Sequence, residues 1–448
     1  APGGAGQPAD ANSTDLFTLN QTTAATTSLF GQGGSDLVKN IGGGRFAGNF
    51  NLSNVIGTVN ITGGETGGDA DFLDLQDFLA AGPDTVNFTA AQLSGAAPAL
   101  INYSQFETFF FESTAGNDTI NVLSTAAGTN YFVTGNGGSD TVTIGNQTAD
   151  FNTVFDGSLD AINGDILVSG EFNGATATDT LNVDDSGTAA LQGVGSIDIA
   201  AGFTFDQTPF FGILVGDATA LTNFAPATIR YYHQAFAGIA ANRVEFVNVL
   251  ASTGGDTINV NATTATNTTT VDAFTGNDFN TVTINGDALS ANNLFLGNTG
   301  NDQHVLNITA SLGSTAVFPI LSLRIEGNAP GSDSENRDRL VINDNNAGFA
   351  RDLNWDYLDT AGDLDILANV AGSGLAGANN AGMAVNVRTM ETVIFNSTGT
   401  NDTTRVTGTS ADDDLTVALR PSDSSAFVFL GGNPYTAAPP DSLAGFLP

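Results

Sequence analysis

Cysteine is absent from this 448-residue chain. Disulfides, thiolate nucleophiles and Cys-ligated zinc or iron–sulfur centres are therefore excluded. Base is nearly absent as well. Lys39 is the sole lysine, and with the arginines it makes 11 basic residues against 47 acidic ones, a formal net charge of −36. A surface that holds nucleic acid needs clustered Lys or Arg to neutralise phosphates, and anionic lipid asks for the same. Neither is an expected partner. Charged residues of both signs reach only 13%, about half the usual share. The Glu/Lys patterns of amphipathic surface helices are almost missing. No apolar run is as long as the ~18 residues of a membrane-crossing helix, so membrane insertion is not expected. The numbering opens on Ala1 rather than Met, which suits a mature chain after loss of a secretion signal and equally a fragment of a longer one.

Gly, Asn, Thr and Ser take the place of the missing charge. The 54 glycines suit many tight turns, and 41% hydrophobic residues are enough for a core. The most informative stretch is residues 106–145, FETFFFESTAGNDTINVLSTAAGTNYFVTGNGGSDTVTIG. An apolar run with a Glu leads into a Gly-Asn-Asp turn, then a strand-like Thr-Ile-Asn-Val, a second strand and a second Gly-rich turn ending in Asp140. Related wording returns from Val244 (VEFVNVLASTGGDTINV) and from Met390 (METVIFNSTGTNDTTRV). A second anchor, Asp-x-apolar-x-apolar-x-Asp, occurs at 71–77, 179–185 and 338–344. Repeated turn-and-strand units imply a stack of such units.

These anchors divide the chain. Residues 1–27 read as an N-terminal arm, 28–70 as first β-coils, 71–178 as repeat 1 and 179–337 as repeat 2 with an aromatic-rich insertion at 200–243. Residues 338–433 read as repeat 3 and 434–448 as a Pro-rich tail. A shorter period lies inside the repeats. The turn acid recurs from Asp118 to Asp140, from Asp256 to Asp278 and on to Asp302, at a spacing of roughly 22 residues. The expected fold class is all-β, a parallel β-helix or β-solenoid with coils of about 22 residues. Tandem β-sandwich domains are the alternative, which accounts for the long repeat but not the short one.

The sequence Gly135-Asn136-Gly137-Gly138-Ser139-Asp140-Thr141-Val142 resembles the nonapeptide of hemolysin-type (RTX) secreted proteins, Gly-Gly-x-Gly-x-Asp-x-apolar-x. Residues 31–38 (GQGGSDLV) fit similarly, and 297–304 (GNTGNDQH) fit up to the apolar position, which is His304. The resemblance covers about a quarter of the chain. It implies secretion and structural calcium, with Asp36, Asp118, Asp140, Asp256, Asp278 and Asp302 as ligands. The family's motifs run in tandem, whereas these stand a coil apart, so stacked turns would have to supply the six to eight oxygens that calcium takes. Read as local structure alone, the same residues are turns, with Gly giving positive φ and Asn or Asp bonding the backbone.

Other features bear on chemistry. Tyr231, Tyr232 and Phe236 lie in the aromatic insertion and could stack on a surface glycan; an aromatic cluster is otherwise core or interface. Arg230, His233 and Arg243 sit beside them, as in a polysaccharide-cleaving β-helix, but no acid pair stands out. An isopeptide crosslink through Lys39 is a minor reading. Asn-x-Ser/Thr triplets such as Asn60, Asn102 and Asn146 arise readily in so Asn- and Thr-rich a chain. The strand-like segment Asp15, Leu16, Phe17, Thr18 and Leu19 could add to another copy's sheet edge or dock on its own chain. The expectation from sequence is a secreted, cell-surface structural protein and not an enzyme. It would be a self-assembling subunit of a filament, sheath or surface layer, with a carbohydrate-binding adhesin or polysaccharide-degrading β-helix as the alternative.

Overall fold

A computed structural model describes residues 16–19, 21–31, 34–41, 51–64, 70–80, 82–147, 156–171, 177–207, 212–232, 244–263, 268–272, 281–285, 292–297, 302–308, 322–326, 338–344, 351–360, 363–372, 383–388, 392–397, 403–407, 414–419 and 426–431. Among the described residues, 32 strands form two sheets of 16 strands each. The first sheet runs from Leu16–Thr18 to Asp414–Leu419, the second from Thr27–Phe30 to Thr403–Thr407. The chain alternates between them, and most neighbours pair in parallel, as a solenoid requires. The chain is an all-β parallel solenoid; sandwich domains, with their antiparallel Greek-key pairing, do not describe it.

The short period of the acidic turns is the minimal coil. Thr119 pairs with Thr141 and Thr281 with Gln303, each one such period on. Other coils carry longer connections: Leu37 pairs with Phe72, and Tyr131 with Ile166.

The long repeat has its own structural meaning. After each Asp-x-apolar strand the chain crosses to the opposite sheet and makes a three-stranded antiparallel meander. The three meanders are Thr85–Thr89 with Gln92–Ser94 and Ile101–Ser104, Gly195–Gln207 with Gly212–Thr222 and Ile229–Tyr232, and Arg351–Thr360 with Asp363–Gly372 and Met383–Arg388. The chain then returns as the strand of the other anchor. That strand lies directly beside the first one: Phe72–Gln76 beside Thr108–Glu112, Thr180–Asp184 beside Phe246–Leu250, and Arg339–Asp344 beside Thr392–Ser397. The meanders fall in the second sheet, then the first, then the second. Each adds two extra strands to its sheet, and the two meanders of the second sheet are matched by the one of the first together with the hairpin of Asp414–Leu419 and Ala426–Gly431, giving 16 strands in each.

Alternation along each strand sets the core. Leu73, Phe109, Tyr131, Ile166 and Ile229 form one inward column of the first sheet. Val86, Ile120, Val142, Leu181 and Val247 form its counterpart in the second. The sheets meet through rings: Phe88 stands edge-on to Phe109 at 5.4 Å and to Phe111 at 4.9 Å. Part of the first sheet is buried on its outer face too. Leu37, Phe72, Phe110, Phe132, Leu167, Ala218 and Tyr232 form a second buried apolar cluster there, with Phe110 and Phe132 stacked at 5.0 Å. This explains why these strands read as near-continuous apolar runs.

Candidate functional site

The acidic turns are the most regular chemical feature, and stacking gives them a common geometry. Each turn ends in an Asp that enters a strand. The N–H of that Asp points along the stack and donates to the carboxylate of the next coil's equivalent acid. In the first sheet Asp36 N–H donates to Asp71 Oδ1 at 2.7 Å, and Asp71 N–H to Glu107 Oε2 at 2.7 Å. In the second, Asp84 donates to Asp118 Oδ1 at 2.6 Å, Asp118 to Asp140 Oδ1 at 2.7 Å, Asp140 to Asp179 Oδ1 at 2.9 Å and Asp179 to Glu245 Oε2 at 2.8 Å. Asp302 donates to Asp338 Oδ1 at 2.9 Å. The strand following each Asp is fixed by its backbone as well; Thr141 N–H, for example, donates to the Asp118 carbonyl at 2.9 Å. The acids thus form ladders of charge-assisted bonds that cap the start of each strand.

The turn comes in two versions. In the glycine version, Gly31 precedes Asp36, Gly135 precedes Asp140 and Gly297 precedes Asp302. The Asp carboxylate leans so close over that glycine that a Cβ there would collide with it. In the hydroxyl version, Thr114 Oγ1 lies 2.8 and 2.9 Å from the Asp118 carboxylate oxygens, and Ser252 Oγ lies 2.9 and 2.8 Å from those of Asp256. Asn136, standing where the nonapeptide has its second Gly, holds φ 72°, and its Nδ2 donates to the Thr114 carbonyl at 3.1 Å. Asn tolerates the left-handed region better than most residues.

The Asp-x-apolar strands carry a second cap at their far end. Asp77 Oδ1 accepts from Leu52 N–H at 2.6 Å, and Asp185 Oδ1 from Leu159 N–H at 3.0 Å. Burial is the largest influence on these groups. It raises Asp77 to about 8, Asp185 to about 7 and Asp71 to about 6. Neighbouring carboxylates add to it, Asp84 and Asp118 beside Asp77, Asp160 and Asp256 beside Asp185, while the accepted N–H bonds oppose it.

The metal expectation can be set against this chemistry. Asp36, Asp118, Asp140, Asp256 and Asp302 are all buried, and Asp278 lies outside the described residues. Asp118, Asp140 and Asp256 accept bonds from N–H or O–H donors, which point hydrogens where a cation would need lone pairs. Among the described residues, no three His, Asp or Glu side chains converge as metal ligands. These bonds cap strand starts, and the six to eight oxygens that calcium takes would have to include backbone carbonyls of the turns. Thr281 pairs with Thr257 one coil earlier, and its N–H donates to the Asp256 carbonyl. In sequence the residue directly before Thr281 is Asn280, where Asp118, Asp140 and Asp256 directly precede their strands.

The remaining candidates have structural places of their own. Tyr231 is 1% exposed in the main core and Tyr232 is 2% exposed in the outer cluster, so neither ring is open to a sugar; Phe236, His233 and Arg243 lie outside the described residues. Arg230 pairs with Asp165 at 2.8 Å. Leu16, Phe17 and Thr18 form a strand paired in parallel with Leu37, Val38 and Lys39 of the same chain, and Leu19 packs on its core; Asp15 lies outside the described residues. One region was missed from sequence. At the start of the second sheet, Asn60, Thr62, Asn102 and Ser104 lie side by side on the outer face with Gln92 next to them. The signal was the pair of triplets Asn60-Ile61-Thr62 and Asn102-Tyr103-Ser104, which become neighbours only through the register.

No protein-family model matches the chain, and no curated protein matches it.

Proposed function

We propose that this chain is a secreted or cell-surface structural protein, a subunit that assembles with copies of itself into a filament, sheath or surface layer. The observation that carries the reading is the open stack. Among the described residues, Leu16–Thr18 and Thr27–Phe30 each pair on one side only, at the same end of both sheets. Their unpaired edges are in line with parallel ladders that run the length of the solenoid, so strands from a second copy would extend an existing pattern. The low charge, the near absence of lysine and the repeats fit a durable extracellular material. Because Leu16–Thr18 is seated on its own chain, end-to-end addition asks for less rearrangement than strand exchange. The test is electron microscopy of the purified protein with and without a chelator, together with a variant lacking residues 1–20. Ordered fibres or sheets from the full chain, lost on the deletion, are expected. Dispersed monomers of the full chain overturn the assembly reading, and undiminished assembly of the deletion overturns the role of this end. Fibres that dissolve on chelation would return calcium to the mechanism.

A further inference from the structure

We propose that the outer face of the second sheet at strands Thr27–Phe30, Val59–Thr62, Ile101–Ser104 and Gln92–Ser94 is a binding site for a neutral oligosaccharide. The proposal does not depend on self-assembly. An open groove of about 500 Å³ lies on this face. Its polar lining is amide and hydroxyl, and none of its lining residues is charged, in a chain whose net charge is −36. Three amides form a ladder across it: Gln92 Nε2 donates to Asn102 Oδ1 at 2.8 Å, and Asn102 Nδ2 donates to Asn60 Oδ1 at 2.8 Å. Each amide is thereby held by its neighbour, and the ladder leaves the Asn60 Nδ2 donor and the Gln92 Oε1 acceptor outside its own bonds. Beneath the groove Tyr103 turns into the core, where its hydroxyl donates to the Thr89 carbonyl at 2.6 Å.

An aromatic ring stands at the rim. The register places Phe30 beside Thr62, and Thr62 beside Ser104, in one outward row, while Leu29, Ile61 and Tyr103 of the same strands face the core. Phe30 is 64% exposed, the most exposed large hydrophobic among the residues whose side chains are described. An apolar ring next to neutral, mutually fixed amides and hydroxyls suits a sugar, which offers an apolar C–H face to the ring and hydroxyls to the amides. Anions find no Arg or Lys here. A peptide adding as a strand needs free backbone groups, and the groove strands Val59–Thr62 and Ile101–Ser104 are paired on both sides, so a strand could add only at the Thr27–Phe30 edge, beside the groove and not in it. From Thr27–Phe30 to Gln92–Ser94 the face spans three strand spacings, roughly 14 Å, room for a short oligosaccharide rather than a single sugar.

The test uses the full chain, soluble hexasaccharides of glucose, mannose and N-acetylglucosamine as probes, and isothermal titration calorimetry as readout. At least one probe is expected to bind. Phe30→Ala should weaken binding roughly tenfold, the loss of one ring contact, and Asn102→Ala should weaken it comparably by breaking the ladder at its centre. Phe246→Ala, which removes another exposed ring on a different part of the sheet, should leave binding unchanged. Circular dichroism establishes that each variant is folded. Absence of binding to every probe, or binding that survives both Phe30→Ala and Asn102→Ala, overturns the proposal. So does a Phe30→Ala variant that changes the sedimentation of the protein while no saccharide binds, because the face would then be a contact between copies.

Discussion

Replacing Asp140 by alanine tests the capping ladder at its centre. In the native chain Asp140 Oδ1 accepts the Asp118 N–H at 2.7 Å, both residues being 2% exposed. The substitution leaves that N–H facing a cavity one carboxylate in size. A hydrogen bond to a charged group contributes about 1.5–3 kcal/mol, and an unsatisfied buried donor costs about as much. A local loss of about 2 kcal/mol is therefore expected at the Asp118 turn. Amide hydrogen exchange reads this directly. Protection of the Asp118 N–H should fall roughly thirtyfold, and the Thr119–Val122 strand that it opens should lose protection with it, while the distant core around Ile61 should not change. Asp140→Asn retains an acceptor of the same shape and should retain most of the protection. Added calcium should restore nothing in the alanine variant. Native protection in Asp140→Ala would refute the capping argument. Protection regained only with calcium would show that the carboxylates serve an ion.

Three further outcomes follow from the same geometry. Asp77, Asp185 and Asp71 have folded pKa values raised to about 8, 7 and 6 from 3.8. Such groups contribute stability that is fully present below the unfolded value and is lost as pH rises through the folded value. The protein should therefore melt lower at about pH 9 than at about pH 5, and an Asp77→Asn/Asp185→Asn double variant should flatten that slope in scanning calorimetry; an unchanged slope would assign it to general charge repulsion. His304 is fully buried between Val282 and Leu340, neither ring nitrogen has a hydrogen-bond partner among the described residues, and burial lowers it from 6.5 to about 4. Its contribution is present above about 6.5 and is lost as pH falls through about 4. His304→Leu should therefore raise the melting temperature, gain about 1–3 kcal/mol and remove that acid-side loss; destabilisation would mean that the ring has an essential contact. Gly138 holds φ +110°, and a Cβ there would strike the Gly116 carbonyl of the adjacent coil. Gly138→Ala should cost about 1–3 kcal/mol in urea unfolding, and a neutral result would show that the turns are not closely stacked.

The class of fold was legible without coordinates. Period-2 strands and Gly-rich turns are local signals, and a turn repeated about every 22 residues admits little besides a stack. The anchors Asp-x-apolar and apolar-Glu-apolar marked the long repeats because each strand start needs its own acid. The Glu of the repeated apolar wording was visible in sequence, but its role was not: Glu107 and Glu245 accept the Asp71 and Asp179 N–H groups. Which N–H groups the acids accept from depends on stacking. A Gly-x-Asp turn places a carboxylate locally, but the N–H that it caps comes from a residue 22 to 66 positions away in a neighbouring coil. The same holds for Tyr231 and Tyr232, whose alternation along the strand Ile229–Tyr232 sends one ring to the core and the other to the buried outer face. The amide groove likewise depends on register, since Asn60 and Asn102 meet 42 residues apart across a meander that no local pattern announces.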